Sequence, residues 1–227
     1  MTLYLLITTW LKTPERLGYL KRTIEALEQN LQFTGPIITY ISREAQFCDL
    51  DTFKDYTQFL LDKSRSKLCP YPVVHTNPPG IGQHLNFFLS GIGEDEVFMY
   101  VQDDWVLNTS LDVTDDYILL KNPPPSLIQY RWWPEPAAYF ERATAEHFII
   151  PHTQKWLYTD TPFIARKDLF SRLGPFLAGS SEADMANRLR LLVQTEPTFQ
   201  VWGRGNGNRH WVGDEYFTHI GEVSTVR

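Results

Sequence analysis

The N-terminal hundred residues alternate between short apolar runs and amphipathic stretches, and this alternation constrains the fold more than any other feature. Residues 3–9 form an apolar run ending in two threonines, which is typical of a buried parallel strand. Thr13 and Pro14 then offer an N-cap and a proline at the first helical position. Apolar residues follow at spacings of three and four, which predicts a helix packed on a sheet: Leu17, Leu20, Ile24, Leu27 and Leu31.

The alternation continues to residue 105. Apolar runs predict strands over residues 37–41, 71–75 and 96–102, whereas apolar periodicity predicts helices over residues 49–63 and 85–92. Because strands joined by helices with short connections run parallel, we expect a parallel sheet covered on both faces. Ligands of such sheets bind at the carboxyl ends of the strands.

The second half of the chain is less regular. We predict strands over residues 127–133 and 161–165, helices over residues 167–173 and 184–193, and a flexible loop at 203–208. With 227 residues in total, one domain is the best expectation.

Composition narrows the possible partners and the compartment. The net charge of −6 gives no general attraction to nucleic acid or anionic membranes, although a local basic patch is compatible with it. No apolar run near the start is long enough for a membrane span or a signal peptide, and the two cysteines make no disulfide framework. We therefore expect a cytoplasmic protein. The aromatic share of 14% is high, and aromatics beside Pro, Gly and Arg suit a pocket for ringed ligands.

Asp103 and Asp104 follow the fourth predicted strand directly. Neighbouring anions repel, so one carboxyl is protonated or a cation lies beside them. A hard divalent metal bridging to a diphosphate satisfies such a pair. The structural alternative is an acid that caps a helix or a turn.

The stretch that contains this pair resembles a known family. Residues 77–105 look like the central segment of inverting nucleotide-sugar glycosyltransferases of the GT-A fold, specifically the large glycosyltransferase family two. Asn86 matches the family's helix Asn, and residues 102–104 match its acidic motif. The resemblance implies an α/β fold, with a GT-A-like, Rossmann-type, mostly parallel sheet flanked by helices in a single domain. Residues 1–105 would form its nucleotide-sugar-binding half, and residues 106–227 its acceptor-binding half with a C-terminal loop.

The resemblance also implies roles at the donor site. Asp103 would face the donor's ribose or the metal, and Asp104 would bind the metal, Mn²⁺ or Mg²⁺, directly. The donor would be a nucleotide-diphosphate sugar, in contact with further residues of the first half: Thr8, Thr9, Arg16 and Asn86. For the two threonines, strand propensity and capping are an equal alternative. The sequence departs from the family at Gln102, where many members have a third acid, and at residues 42–46, which replace an Asp-rich segment that commonly touches the base.

Residues 162–170, 173–176 and 182–188 look like the family's acceptor segment, which implies that the candidate catalytic carboxylates are Glu182 and Asp184. By resemblance, Glu182 takes the position of the base. A carboxylate in the first turn of a helix is held by free backbone N–H groups and can be aimed into a cleft. Such a base would remove the proton of the acceptor hydroxyl. For Asp184 the alternative is an i, i+4 pair with Arg188.

The C-terminal region offers further candidates. The resemblance implies a late histidine as an additional metal ligand, and His219 is the predicted one, with His210 and Asp214 as rivals. Imidazole is a suitable ligand for manganese. Arg204 and Arg209 would close over the diphosphate, although a plain surface loop is an equal alternative. Aromatic residues are candidates for stacking on sugar or base, namely Trp132, Trp133, Tyr139 and Trp156.

The predicted activity is metal-dependent, inverting sugar transfer from a nucleotide-diphosphate sugar to a hydroxyl acceptor. The acceptor classes left open are a glycan, a small molecule, a protein and a modified nucleobase. A nucleotidyltransferase is a rival, but its Gly-rich turn after the first strand has no counterpart at residues 8–14. A non-catalytic nucleotide- or sugar-binding module of the same fold is the second rival, since Gln102 weakens the acidic motif.

Overall fold

The computed structural model describes residues 1–44, 47, 49–68, 70–75, 80–130, 140–154, 157–177, 182–205 and 216–221. Of these, His75 and Glu182 are described by their backbone alone.

The N-terminal half follows the predicted alternation. Its elements are β1 (Leu3–Thr9), α1 (Pro14–Asn30), β2 (Leu31–Gln32), β3 (Ile37–Glu44), α2 (Leu50–Lys63), β4 (Tyr71–His75), α3 (Ile81–Ser90) and β5 (Val97–Gln102). β1 pairs in parallel with β3 and β5, and β3 pairs in parallel with β4. The predicted parallel sheet with helical crossovers is therefore confirmed in this half.

Local sequence explains where the first two long helices begin. Asp49 caps α2, because its carboxylate accepts a hydrogen bond of 2.6 Å from the N–H of Thr52. Thr13 occupies the N-cap of α1 with Pro14 after it, but its side chain makes no capping bond to a described residue. The backbone N–H of Glu15 and the hydroxyl of Thr13 both lower the pKa of the Glu15 carboxyl. Thr13 therefore occupies the predicted N-cap position but does not cap the helix with its side chain.

The second half contains shorter elements. They are β6 (Trp105–Leu107), β7 (Leu111–Asp112), α4 (Thr114–Lys121), β8 (Leu127–Gln129), β9 (Glu141–Arg142), β10 (His147–Ile149), β11 (Phe163–Arg166), α5 (Lys167–Leu173), α6 (Glu182–Thr195), β12 (Val201–Arg204) and β13 (Phe217–His219). The strand predicted over 127–133 ends at Gln129, and residues 131–139 lie outside the described part of the chain. Six of these strands were not predicted, because runs of two to four residues carry no readable period. The eight-residue helix α4 was not predicted either, because its apolar residues do not follow a helical period.

Within the described residues, nine strands form one sheet in the order β4-β3-β1-β5-β11-β8-β12-β10-β9. β11 is antiparallel to both β5 and β8, whereas β12 is parallel to β8. The two halves of the chain therefore share one sheet. Their division at residue 105 stays a prediction.

Both faces of this sheet are buried. Leu3, Leu5 and Ile7 of β1 pack on one face with the apolar stripe of α1. Leu6 points to the other face, where it packs with residues of α3, α5 and α6. The alternation of side chains along a strand produces these two clusters, and the predicted α/β fold with helices on both faces is confirmed.

The sheet topology brings several strand ends to one edge. β1, β5, β8 and β12 all run in the same direction, so Thr9, Gln102, Gln129 and Arg204 end at the same side of the sheet. None of the helices that the structure describes is both long enough and apolar enough to span a bilayer.

Candidate functional site

The acid pair lies at the carboxyl end of β5, as predicted. Asp103 is 1% exposed and Asp104 is 4% exposed, so both carboxyl groups are withdrawn from bulk water. Two bonds to the Asp103 backbone hold the turn: its N–H donates to the carbonyl of Thr8 at 3.0 Å, and its carbonyl accepts from the hydroxyl of Thr23 at 2.8 Å. The end of β1 and the middle of α1 thereby fix the position of both acids.

Arg16 is the cation that faces this pair. Its Nη1 atom donates to Oδ1 of Asp103 at 3.0 Å and to Oδ2 of Asp104 at 2.8 Å. Burial lowers the pKa of Arg16, but the two carboxylates more than offset that effect, so its pKa is raised. The guanidinium carbon also lies 6.0 Å from the ring of Trp10 and 5.8 Å from the ring of Tyr19. Arg16 is therefore a permanent positive charge between two buried acids.

Thr9 contacts the acid pair from β1. Its hydroxyl donates to Oδ2 of Asp103 at 2.5 Å. Burial raises the pKa of Asp103 to about 7, an effect that Asp104 reinforces and that Arg16 and Thr9 oppose. Both carboxyl oxygens of Asp103 thus accept hydrogen bonds from protein side chains, those of Thr9 and Arg16. A role of Asp103 toward ribose or metal stays a prediction.

Asp104 has a different environment. Among the described residues, its Oδ1 atom has no hydrogen-bond partner although it is buried. Its Oδ2 atom lies 3.3 Å from Nε2 of His219. β13 antiparallel to β6 sets His219 opposite Trp105, and the N–H of Ile220 donates to the Asp104 carbonyl at 2.8 Å. The structure thus brings His219 to the acid pair from the other end of the chain.

These side chains can be tested for their fit to a divalent ion. No cluster of three or more His, Cys, Asp or Glu suited to a metal occurs within the described part of the chain. Asp104 nevertheless offers a buried oxygen without a partner, and His219 offers an imidazole nitrogen beside it. A magnesium-type site commonly uses one or two carboxylates and leaves its other positions to water and substrate phosphates. The donor set at Asp104 fits an ion bound in this way.

Two further residues at this edge are engaged within the protein. The hydroxyl of Thr8 lies 3.2 Å from the hydroxyl of Tyr100, whose pKa is raised well above its ordinary value chiefly by burial. The amide of Gln102 donates to the carbonyl of Asp160 at 2.9 Å. Gln102 therefore ties the end of β5 to the segment before β11, a bond that a third carboxylate could not donate.

Asn86 lies on α3 and bonds a backbone segment. Its amide donates to the carbonyl of Phe176 at 2.8 Å, and its Oδ1 accepts from the N–H of Phe176 at 2.9 Å. This pair of bonds fastens α3 to the chain after α5. A contact between Asn86 and the donor stays a prediction.

The candidate catalytic carboxylates lie at the start of α6. Glu182 is the first residue of that helix, which begins two residues before the predicted start at residue 184, and its side chain is outside the described part of the structure. Asp184 forms the i, i+4 ion pair with Arg188, with 2.8 Å between Oδ2 and Nη2. Arg188 in turn donates to the carbonyl of Leu173, which joins the start of α6 to the end of α5. The structural alternative for Asp184 is therefore observed, and its catalytic role stays a prediction.

Arg204 lies at the end of β12 in a separate buried cluster. Its Nη1 atom donates to Oδ2 of Asp116 at 2.8 Å, and its Nη2 atom donates to Glu146 at 2.7 Å. Asp116 also accepts from the hydroxyl of Tyr130 at 2.5 Å and lies 2.8 Å from Nε2 of His147. The guanidinium is thus engaged by two acids, and the predicted contact with a diphosphate stays a prediction.

Other predicted residues lie outside the described part of the chain. They are Arg209, His210 and Asp214 of the C-terminal loop and the aromatic candidates Trp132, Trp133, Tyr139 and Trp156.

A second acidic position, which was not predicted from the sequence, lies at the same edge of the sheet. Glu44 ends β3, is 9% exposed, accepts a hydrogen bond from the Trp10 indole and pairs with Lys12 at 3.1 Å. The signal was present, because Glu44 falls in the segment that replaces the family's Asp-rich stretch. A single glutamate in such a segment is hard to distinguish from an ordinary surface acid until the register of β3 is known.

Several solved structures share this fold at low sequence identity. TarS of S. aureus (residues 1–349) superimposes with a TM-score of 0.59 over 89% of this chain at 16% identity. The same fragment in complex with UDP-GlcNAc gives a TM-score of 0.59 over 95% of the chain at 15% identity. The mannosyltransferase PcManGT from Pyrobaculum calidifontis, in complex with GDP-Man and Mn²⁺, gives 0.58 over 88% at 12% identity.

The match extends over only part of these proteins. The chain spans 60% of the TarS fragment and 56% of the mannosyltransferase. No protein-family model matches the sequence, and the comparison with curated proteins found no matching sequence. Identities this low establish the fold alone. The protein has the GT-A-like fold of nucleotide-sugar glycosyltransferases, which the resemblance of residues 77–105 implied.

Proposed function

We propose that the protein is a metal-dependent, inverting glycosyltransferase that moves a sugar from a nucleotide-diphosphate sugar to an acceptor hydroxyl. The observation that carries the proposal is the buried acid pair Asp103–Asp104 at the carboxyl end of β5, beside the end of β1, in a GT-A-like fold. One solved neighbour of this fold holds UDP-GlcNAc and another holds GDP-Man and Mn²⁺, which supports a nucleotide-sugar donor.

The donor would lie along the edge that carries the acid pair. Thr8 and Thr9 end β1 beside this pair, within reach of a base or ribose placed over the strand ends. Arg16 would hold the diphosphate side, because its guanidinium is partly exposed, at 28% of the side chain, while it contacts both acids. Asn86, Arg204 and Arg209 are proposed donor contacts that would require a local rearrangement or an approach from the loop.

Asp104 and His219 would hold the divalent ion. When bound, such an ion neutralises the negative charge that develops on the departing diphosphate. The chain's own contribution is to keep the carboxylate of Asp104 withdrawn from bulk water, with the imidazole of His219, whose side chain is 33% exposed, beside it. The Oδ1 atom of Asp104 has no partner among the described residues.

Glu182 would act as the catalytic base. Its backbone position at the first turn of α6 exposes it to the N–H groups of a helix start, which stabilise a carboxylate. In the proposed reaction the acceptor oxygen attacks the anomeric carbon as Glu182 takes its proton, and the nucleoside diphosphate leaves from the opposite face. One direct displacement of this kind inverts the anomeric centre.

The acceptor is proposed by class alone: a glycan, a small molecule, a protein or a modified nucleobase. A cytoplasmic location is part of the same proposal and rests on the composition and the two cysteines.

The proposal is tested by incubating the full chain with a panel of UDP- and GDP-sugars, with Mn²⁺, with Mg²⁺ and with EDTA. We expect slow release of nucleoside diphosphate from one donor class, and we expect EDTA to abolish it. A protein that binds a nucleotide sugar without ever releasing the diphosphate would instead be the non-catalytic module. Release of pyrophosphate from a nucleoside triphosphate and a sugar phosphate would identify a nucleotidyltransferase.

A further inference from the structure

The acid pair already has a cation, although the proposed reaction assigns that place to a metal. The two carboxyl groups carry up to two negative charges, and Arg16 contributes one positive charge through a single nitrogen atom shared by both. Asp103 and Asp104 are almost fully buried, so each interaction between charges is stronger here than it would be in water. A dication added beside Asp104 would therefore face the positive charge of Arg16 at close range.

We propose that Arg16 is a built-in counter-cation that competes with the divalent ion for Asp104, and that metal binding moves the Arg16 guanidinium off this carboxylate. The inference rests on the proposed function in one respect, namely that the site binds a divalent ion. It adds that the ion and Arg16 exclude each other at Oδ2 of Asp104.

Three contacts around Asp104 support this competition. Oδ2 is contacted by both Arg16 at 2.8 Å and His219 at 3.3 Å, so the oxygen nearest the imidazole is the one that Arg16 occupies. Oδ1 has no partner within the described residues, which leaves the carboxylate incompletely satisfied by Arg16 alone. A buried carboxylate oxygen without a partner costs free energy, and an ion that contacts this carboxylate would remove that cost.

The surroundings of Arg16 offer its guanidinium an alternative position away from Asp104. Its guanidinium carbon lies 5.8 Å from the ring centre of Tyr19 and 6.0 Å from that of Trp10. Both distances are within the range of a cation–π contact. The side chain of Arg16 is 28% exposed, whereas the side chains of Asp103 and Asp104 are 1% and 6% exposed. A small rotation would therefore take the guanidinium from Asp104 toward the aromatic rings and solvent. There it would face the phosphates of an incoming donor, for which a planar guanidinium is well suited.

The test measures Mn²⁺ binding without any nucleotide, by calorimetry and by the free-Mn²⁺ signal in electron paramagnetic resonance. We expect Arg16→Met to bind Mn²⁺ about tenfold more tightly than the parent, since a competing charge at hydrogen-bond distance is lost. Arg16→Lys should fall between the two, because it keeps the charge but carries it on a flexible stem in place of the planar guanidinium. Arg22→Met is the matched control: it removes the same charge from an exposed position of α1 that also packs on Tyr19, and should leave the affinity unchanged.

A second measurement uses the parent protein and does not depend on a variant that folds. Phenylglyoxal modifies exposed arginines, and peptide mass spectrometry can follow Arg16 alone. We expect Mn²⁺ to increase the modification rate of Arg16 severalfold and to leave that of Arg22 constant. Arg16 protected by Mn²⁺, or a weakened affinity in Arg16→Met, would overturn the competition and assign Arg16 a supporting role in metal binding.

The two proposals fail in different ways. Absence of sugar transfer with every donor and acceptor would refute the proposed function. The Mn²⁺ affinities of the parent and of Arg16→Met would still test whether Arg16 and the ion compete for Asp104. If neither the parent nor Arg16→Met binds Mn²⁺, the competition is overturned together with the metal dependence, whereas metal-independent transfer could still be measured.

Discussion

Gly221 lies directly against Asp104: a β-carbon at position 221 would be 2.6 Å from Oδ2 of that carboxylate and 3.0 Å from its β-carbon. The approach is possible because Ile220 bonds the Asp104 backbone and draws the chain after β13 onto the acid pair. Position 221 therefore has no room for a side chain, because the carboxylate of Asp104, our proposed metal ligand, occupies that space.

This contact predicts a specific effect for Gly221→Ala. The added methyl group cannot coexist with Asp104 in its present position, so the carboxylate or the segment carrying His219 must move. We expect at least a tenfold loss of Mn²⁺ affinity in calorimetry, since a site displaced by about 1 Å loses its geometry. Gly18→Ala is the control, because nothing lies within 4 Å of a β-carbon there and α1 continues through that position. An unchanged affinity in Gly221→Ala would show that Asp104 is not a ligand in its present arrangement.

Asp104→Asn tests the metal ligand itself. An amide keeps the shape of the carboxylate but loses the charge, so we expect metal-dependent donor binding to disappear while metal-free binding of the nucleotide is retained. Calorimetry with UDP-GlcNAc and GDP-Man, each with Mn²⁺ and with EDTA, measures the metal-dependent and the metal-free affinity. Asp51→Asn is a suitable control, since that carboxylate on α2 is 91% exposed and contacts only Lys54 among the described residues. Equal metal dependence in Asp104→Asn and the parent would refute the assigned role.

Glu182→Gln separates catalysis from binding. If Glu182 is the base, its amide analogue should bind the donor with the parent affinity and lose about 10²- to 10⁴-fold in the transfer rate. Product formation in single-turnover experiments measures this loss without interference from product release. Glu25→Gln, at an exposed position of α1, controls for the change of charge. A Glu182→Gln variant with the parent rate would move the base to another residue.

The sequence predicted the elements that have a strong local signal. The stripe of α1 and the apolar run of β5 are long enough for their period to decide their type, and the parallel order of β1, β3, β4 and β5 follows from the connections. The acid pair was found for the same reason, since it directly follows a strand whose direction was known.

The partners of the acid pair could not all be derived from local pattern. His219 lies on a strand of three residues, and its position depends on the pairing of β13 with β6, a contact between distant parts of the chain. Arg16 was expected to hold the site, but its bonds to both acids depend on how α1 packs over β5. The engagement of Arg204 by Asp116 is a third case, because α4 has too weak a period to be predicted.

The buried Asp116 cluster accounts for the position of Arg204, and its effect on stability can be measured. Asp116 is 0% exposed and bonds Arg204, Tyr130 and His147. Removal of the Asp116 charge would leave the buried guanidinium of Arg204 with Glu146 as its remaining acidic partner among the described residues, and the side chain of Glu146 is 56% exposed. We therefore expect Asp116→Asn to lower the free energy of unfolding by about 3–5 kcal/mol at neutral pH, measured by urea denaturation. Asp115→Asn, exposed in the same first turn of α4, should lose only about 0.3–1 kcal/mol.

The pH dependence of that difference follows from the pKa of Asp116. Burial alone would raise this pKa, but the bond to His147, the charge of Arg204 and the bond from Tyr130 outweigh it, so the pKa lies below its ordinary value of 3.8. A carboxyl whose folded-state pKa is lowered contributes its full stability above the unfolded value and loses it as the pH falls through the folded one. The gap between the parent and Asp116→Asn should therefore be constant above about pH 5 and narrow below pH 3.8. A gap that widens on acidification would mean that the cluster stabilises the protonated form, contrary to the ion pair with Arg204.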